Sequence, residues 1–310
     1  MVDRLQVPAD GAVAASSTRE ELMHPGGLRP HPLLLKDRNA MLRPHFAAAL
    51  VLIALAGLAP GRVPAMVSPA PLQAQQPRFT VELEAGPVWQ SRNVAEAPND
   101  GTATRFSLRN LLGSGPWPAG RLTLGWNPWE RHGFQLLLAP LTVQDDVIPG
   151  QTLRFEGSTF PAGEGARATY TFNSWRGTYR YLVHESSALQ GWVGGTAKIR
   201  DAVIGLESTS PTGTPIRAEK TDLGFVPLLH LAGRWTPSPG WVVAGELDGL
   251  AGGPGRAFDV AIMAGRDLAR GWSLHAGYRT VEGGADIEEV YSFAWFHYGI
   301  VGLRWTPGPE

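Results

Sequence analysis

The sixteen residues Val290–Trp305, VYSFAWFHYGIVGLRW, set the terms for the rest of the chain. They carry no charge before Arg304 and are dense in aromatic side chains. A membrane helix needs about 20 apolar residues, so the run is too short to be one. A membrane-spanning β-strand needs about 9–11 residues, with aromatics near the lipid–water boundaries, and the run fits that. Val301, Leu303 and Trp305 alternate with Ile300, Gly302 and Arg304, the period of two that sends side chains to opposite faces of a strand. Lipid does not tolerate an unpaired sheet edge, so such a strand must belong to a closed sheet. The expected fold class is therefore all-β: a single antiparallel transmembrane β-barrel whose last strand pairs with its first.

Composition agrees. Only 18% of the 310 residues are charged and 43% are hydrophobic, against about 25% charged in soluble domains. Mean hydropathy is nevertheless −0.10, too polar for a helical membrane protein but natural for a barrel that alternates lipid-facing and lumen-facing residues. The absence of cysteine excludes disulfides and thiolate metal sites. A net charge of −1 leaves no basic footprint for nucleic acid.

Residues 1–40 have no periodicity and are expected to be disordered, or an over-extended reading frame before Met41. Residues 41–74 have the layout of a secretory signal peptide: Arg43, then the apolar run Phe46–Leu58, then small residues ending at Ala74, with Ala65 and Ala70 as alternative cleavage points. Residues 75–310 are assigned to the barrel. The expected location is the bacterial outer membrane, reached by export and signal-peptide cleavage.

Ten segments alternate with period two. They begin with Phe79, Val81, Leu83 and Ala85 facing lipid against Thr80, Glu82, Glu84 and Gly86. They continue as Pro118–Trp126, Phe134–Val143, Arg167–Val183, Ala188–Leu206, Asp222–Trp235, Trp241–Leu250, Arg256–Asp267, Trp272–Thr280 and Val290–Trp305. Eight strands is the alternative, should the third and fourth be wrongly cut. Connections at 91–117, 144–165 and 207–220 are long, those at 251–255 and 282–289 are of medium length, and those at 127–133, 184–187, 236–240 and 268–271 are short. With the first strand starting inside, every short connection falls on the periplasmic side, the asymmetry of outer-membrane barrels. The long loop around RFSLRNLLG is compatible with a short helix. Tyr170 and Phe172 differ in parity from Trp175, Tyr179 and Tyr181, which predicts a bulge near Asn173–Ser174.

Tryptophan gives a second pattern. Trp126, Trp129, Trp235, Trp241, Trp272 and Trp305 sit beside the short turns or the C-terminus, and Trp89, Trp117, Trp175 and Trp295 nearer the other end. Two interfacial aromatic girdles are expected, because an indole has an apolar body and a polar tip. His297 shares parity with Trp295 and Val301, which places it against lipid unless a bulge or the outer interface accommodates it.

The tail Gly277–Trp305, with GYR, EGG, an acidic stretch, EVY, FA, FHY and GL in that order, resembles the C-terminus of a family of proteobacterial outer-membrane β-barrel proteins of unknown function. TRFSLRNLL at Thr104–Leu112, followed by Gly113, resembles their first extracellular loop. Thr306–Glu310 extends past the terminal aromatic, a departure from the pattern. A strand ending in an aromatic is also similar to the signal read by the barrel assembly machinery. The resemblance implies a barrel in contact with outer-membrane lipid and lipopolysaccharide. It carries no catalytic residues.

Parity assigns Glu82, Glu84, Lys198, Arg200, Asp222, Arg234, Glu246, Asp248, Asp259 and Arg279 to the lumen. Two readings follow: a lumen plugged by paired charges, or a narrow, porin-like polar path whose side chains tune selectivity. The leading expectation is a non-enzymatic barrel, structural or passing small solutes. An outer-membrane hydrolase acting on lipid or peptide is the alternative. Its catalytic candidates are Ser273 and His275, two apart on one strand face, with Glu246 or Asp259 to orient the imidazole. Asp145-Asp146 is similar to the acidic pair of omptin proteases in residue type only. A loop-based adhesin or receptor is the third class, with its specificity in 91–117 and 144–165. The acidic loop Asp286, Glu288, Glu289 is a candidate for lipopolysaccharide-bridging cations. His132, His184 and His230 are dispersed without metal-ligand spacing, so neither metal nor cofactor is expected.

Overall fold

The computed structural model describes residues 78–209 and 214–307. The expected signal peptide and the 1–40 extension lie outside the described residues. No helix in the described part is long and apolar enough to cross a membrane.

Fourteen strands occur among the described residues. Ten form a closed ring: β1 (Phe79–Glu96), β3 (Trp117–Trp129), β4 (His132–Ala139), β8 (Ala166–Glu185), β9 (Leu189–Ser208), β10 (Arg217–Ser238), β11 (Trp241–Gly252), β12 (Gly255–Asp267), β13 (Trp272–Ile287) and β14 (Val290–Trp305). Each pairs antiparallel with the next, and β14 pairs with β1 from Val81↔Trp305 to Glu96↔Tyr291. The barrel has ten strands rather than eight. β2 (Phe106–Ser107) adds to β1, β5 (Thr142–Val147) continues the β4 edge against β8, and β6 (Leu153–Phe155) and β7 (Ser158–Phe160) form a separate hairpin.

Four short connections, Glu130-Arg131, 186–188, Pro239-Gly240 and 268–271, share one end, the short-turn end. Gly253-Pro254 and Glu288-Glu289 are equally short but lie at the long-loop end, so the expected asymmetry holds only in part. Pro239-Gly240 joins β10 to β11 with Gly240 at φ 78°, the left-handed position that follows proline in a type II turn. Strands reach 20 and 22 residues in β9 and β10, about twice what a membrane crossing needs. The excess projects at the long-loop end. This lengthening corrects several expected boundaries. The turn at 127–133 shrinks to Glu130-Arg131, the acidic loop 282–289 to Glu288-Glu289, and 144–165 holds the end of β5 and the β6–β7 hairpin.

The bulge expected at Asn173–Ser174 is not there. β8 pairs with β9 without a shift from Ala166 to Leu182, and the irregularity falls between Leu182 and His184. Tyr170 and Phe172 break the apparent alternation because they face inward, into a core that the sequence pattern alone does not reveal. A second irregularity, between Gln90 and Arg92, lies on β1 beside Trp295 and His297.

That core fills the long-loop end of the lumen. Phe296 stacks against Tyr170 at 5.8 Å and Phe172 at 6.1 Å, joining β14 to β8 across the barrel. Above them the first long loop folds inward. Helix α1 (Leu108–Leu112) starts at Ser107, whose hydroxyl accepts from the Asn110 amide at 3.2 Å, and it buries Leu108 and Leu112. The β6–β7 hairpin buries Leu153, Phe155 and Phe160, with Phe155 edge-on to Phe106 at 5.7 Å. Backbone bonds from Thr104 to Arg154 and from Glu156 to Ala97 fasten the two loops together. A fully buried aliphatic or phenylalanine side chain contributes about 1.5–3 kcal/mol, so this layer is a globular core held inside a barrel.

Candidate functional site

Below the apolar layer the inward residues turn ionic. Asp259 on β12 is the centre, 3% exposed. It pairs with Arg279 at 2.8 Å, Arg176 at 2.7 Å and Arg121 at 3.6 Å, bringing together β12, β13, β8 and β3. Arg121 and Arg279 also reach Glu84 Oε2, at 3.2 and 3.5 Å. Arg176 reaches Asp248 at 3.1 Å, and Asp248 in turn lies 2.8 Å from His230 Nδ1 and accepts from Thr196 at 2.7 Å. Glu246 meets Arg279 at 3.4 Å. Opposite charges so interleaved offset one another's desolvation, whereas any single one left alone would be costly. Between this belt and the apolar layer, the void beside Phe172, Ser174 and Tyr298 measures 10 Å³. That is no more than about the 10–15 Å³ a water needs.

On the other side of the belt the lumen opens. A cavity of 750 Å³ runs from Arg121, Arg176 and Arg279 down to the short turns, where Ser186, Ala188, Leu268 and Gly271 line its mouth. Arg180 lies over the Trp192 ring at 4.9 Å on its wall. Arg234 pairs with Asp267 at 3.1 Å near the mouth.

Of the ten residues assigned to the lumen by parity, Glu82, Glu84, Lys198, Asp259 and Arg279 are buried, and Arg200, Asp222, Arg234, Glu246 and Asp248 are half-buried. They do not form one group. Glu84, Glu246, Asp248, Asp259 and Arg279 share the belt, Arg200 pairs with Asp222, and Arg234 stays near the mouth. Glu82 pairs with Arg304 beside the belt. Lys198 is buried above it, its ammonium 4.9 Å from the Phe172 ring. Of the catalytic candidates, Ser273 donates to Asp267 at 2.8 Å, while His275 Nε2 faces Glu82 and Glu84 at 3.7 and 3.6 Å. Glu246 is committed to Arg279. The hydroxyl and the imidazole thus have different carboxylate partners.

Outside the lumen, Asp146 bonds Arg167 at 2.8 Å on an exposed strand, and that hydrogen bond holds its carboxyl below the usual range. Asp286 accepts from Asn99 at 2.8 Å, tying the first loop to the β13–β14 tip. His297 lies on the outer face, 2.6 Å from the Tyr278 hydroxyl and 2.8 Å from Ser91 Oγ. Trp117 is displaced from the expected outer ring, since it packs inward on the apolar core.

Sequence reasoning omitted Arg121 and Arg176 from the lumen set, although they hold Asp259. Arg121 shares parity with Ala119 and Thr123, and Arg176 with Ser174 and Thr178, so a strict alternation count finds both.

No family model matches the sequence, and no curated protein does. Among solved structures, the outer membrane protease OmpT from Escherichia coli overlaps at 9% identity over 75% of this chain and 97% of that one, with a TM-score of 0.43. Ail, the attachment invasion locus protein of Yersinia pestis, overlaps at 10% identity over 74% and 99%, with a TM-score of 0.31. The Pseudomonas putida toluene transporter TodX overlaps at 11% identity over 79% and 94%, with a TM-score of 0.31. Likeness this loose carries nothing about chemistry, and the chain's ten-stranded closed ring rests on its own strand pairing.

Proposed function

We propose that this chain is a bacterial outer-membrane barrel with a closed lumen, a structural element of the membrane rather than a pore or an enzyme. Support for the membrane comes from the outer face. Leu223, Phe225 and Leu229 on β10 are 76%, 69% and 64% exposed, and Leu136, Ile199, Ile262, Val301 and Leu303 continue the apolar surface around the ring. Water does not tolerate apolar surface of that extent. Trp126, Trp129, Trp235, Trp241, Trp272 and Trp305 are exposed at the short-turn end, consistent with an interfacial girdle. In this reading the short turns face the periplasm. Lipid and lipopolysaccharide surround the barrel, and the assembly machinery reads Val290–Trp305.

The observation that carries closure is Asp259 held by three arginines directly beneath the Tyr170–Phe296–Phe172 stack. A hydrated path would have to break both layers. The loop-based adhesin reading draws less support, because Leu108, Leu112, Leu153, Phe155 and Phe160 of the long loops are buried, although Ile148 is exposed. The hydrolase reading draws less as well, because Ser273 and His275 are engaged separately.

The test is single-channel recording of the purified protein in a planar bilayer, with insertion verified by heat-modifiable migration. Silence is the expected result. Discrete, salt-dependent conductance steps would overturn the proposal and restore Lys198, Arg200, Arg234 and Glu246 as candidate selectivity residues.

A further inference from the structure

In one group of titratable side chains, charge pairing leaves hydrogen-bonding atoms unfilled. Glu82 and Glu84 on β1 each give Oε2 to arginine: Glu82 to Arg304, and Glu84 to Arg121 and Arg279. Their Oε1 atoms turn instead toward His275 on β13. His275 Nε2 lies 3.7 Å from Glu82 Oε1 and 3.6 Å from Glu84 Oε1, beyond hydrogen-bond length in both cases. Glu84 is 2% exposed, and its Oε1 has no hydrogen-bond partner, nor does the buried His275 Nε2. A buried carboxylate oxygen and a buried imidazole nitrogen therefore face one another unsatisfied, which is expensive unless something joins them.

The backbone builds this approach. In the pairing of three neighbouring strands, Glu84 is opposite Gly302 on β14, and Gly302 is opposite His275. The imidazole lies over Gly302, where a Cβ would clash with its Nε2 and Cε1 atoms. Any other residue at 302 would keep His275 from the carboxylates.

We propose that Glu82, Glu84 and His275 bind one divalent transition-metal cation of the Zn²⁺ type, stapling the barrel's closing seam. The donor set fits, since imidazole and carboxylate oxygen are both Zn²⁺ ligands. The spacing fits too. Ligand atoms about 2.0–2.2 Å from a tetrahedral Zn²⁺ lie about 3.3–3.6 Å apart, against 3.6 and 3.7 Å here, with all three atoms within 4.8 Å of one another. The arginines on Oε2 act as outer-shell partners, fixing each carboxylate so that Oε1 is presented. Glu82 also lines the large cavity, which gives the ion its entry path. The cation would tie the first strand to the penultimate one across the last, at the join that closes the ring. Whether the lumen conducts does not enter this inference.

The experiment uses full-length protein purified from membranes, stripped with chelator and titrated with Zn²⁺ alone, then with Co²⁺. The expected result is uptake of one equivalent per chain, visible d–d absorption with Co²⁺, and a higher unfolding temperature in the loaded protein. His275→Gln and Glu84→Gln should abolish all three while keeping heat-modifiable migration. Should either fail to fold, Gly302→Ala, which displaces the imidazole without removing a ligand, provides the same comparison. No saturable uptake by the folded wild-type protein would overturn the proposal. So would uptake that a folded variant retains.

Discussion

The two halves of the lumen are closed by opposite means. Toward the long loops, side chains delivered by β8, β14, α1 and the β6–β7 hairpin pack as an apolar core with Phe296 at its base. Toward the short turns, the strands alone supply arginines and carboxylates around Asp259, and below them the lumen opens into a polar cavity. The apolar half depends on loops folding back. The ionic half needs only the strand register, which brings β3, β8, β12 and β13 to the same level. Shape filling tolerates small adjustments, whereas a buried charge array tolerates few, because each member is the neutralising partner of several others.

Substitutions on either side of the boundary sharpen this contrast. Asp259→Asn should have the largest effect. It preserves volume but leaves Arg121, Arg176 and Arg279 facing one another, at a cost of about 3–5 kcal/mol. The check is the urea midpoint followed by tryptophan fluorescence, and an unchanged midpoint would mean that water already screens the belt. Phe296→Ala should cost about 3 kcal/mol, the low end for a buried phenylalanine, because the hairpin above can settle into the gap. Bilayer recordings of that variant should stay silent, since the belt remains. Conductance would show that the apolar layer alone holds the seal.

Lys198→Met probes the boundary itself. Its ammonium sits over Phe172, and an apolar side chain of similar length should leave stability within about 1 kcal/mol, with any change favourable. A large loss in the same unfolding assay would assign Lys198 to the belt rather than to the plug. The smallest effect belongs to Asp146→Asn at the exposed Arg167 pair, where no change in midpoint is expected. Because that carboxyl is held low, its pairing is complete at neutral pH and fades only as acid carries the solution through the lowered value. A wild-type unfolding midpoint that differs between pH 7 and pH 5 would therefore have to come from another group.

Much of this was readable in advance, for reasons particular elements make plain. Val290–Trp305 has the same bounds in sequence and structure, because an uncharged strand bounded by aromatics admits few alternatives. Glu82, Glu84 and Asp259 were placed inward by parity, since period-two alternation survives any detail of packing. Tyr170 and Phe172 misled the same reasoning. An inward aromatic looks like a lipid-facing one until the loops that cover it are known. His275 was seen only beside Ser273, because sequence neighbours are visible and strand neighbours are not.

Alternation and turn chemistry, which are local properties of the chain, determined the all-β class and pointed to ten strands with eight as the alternative. Tertiary structure alone decided what the lumen contains. The Tyr170–Phe296 stack joins residues 126 positions apart, and the meeting of Glu82 and Glu84 with His275 depends on ring closure laying β1 beside β14. Contacts of that kind leave no periodic trace in a sequence. They arise when the sheet closes on itself and the long loops pack their buried apolar side chains against its inward face.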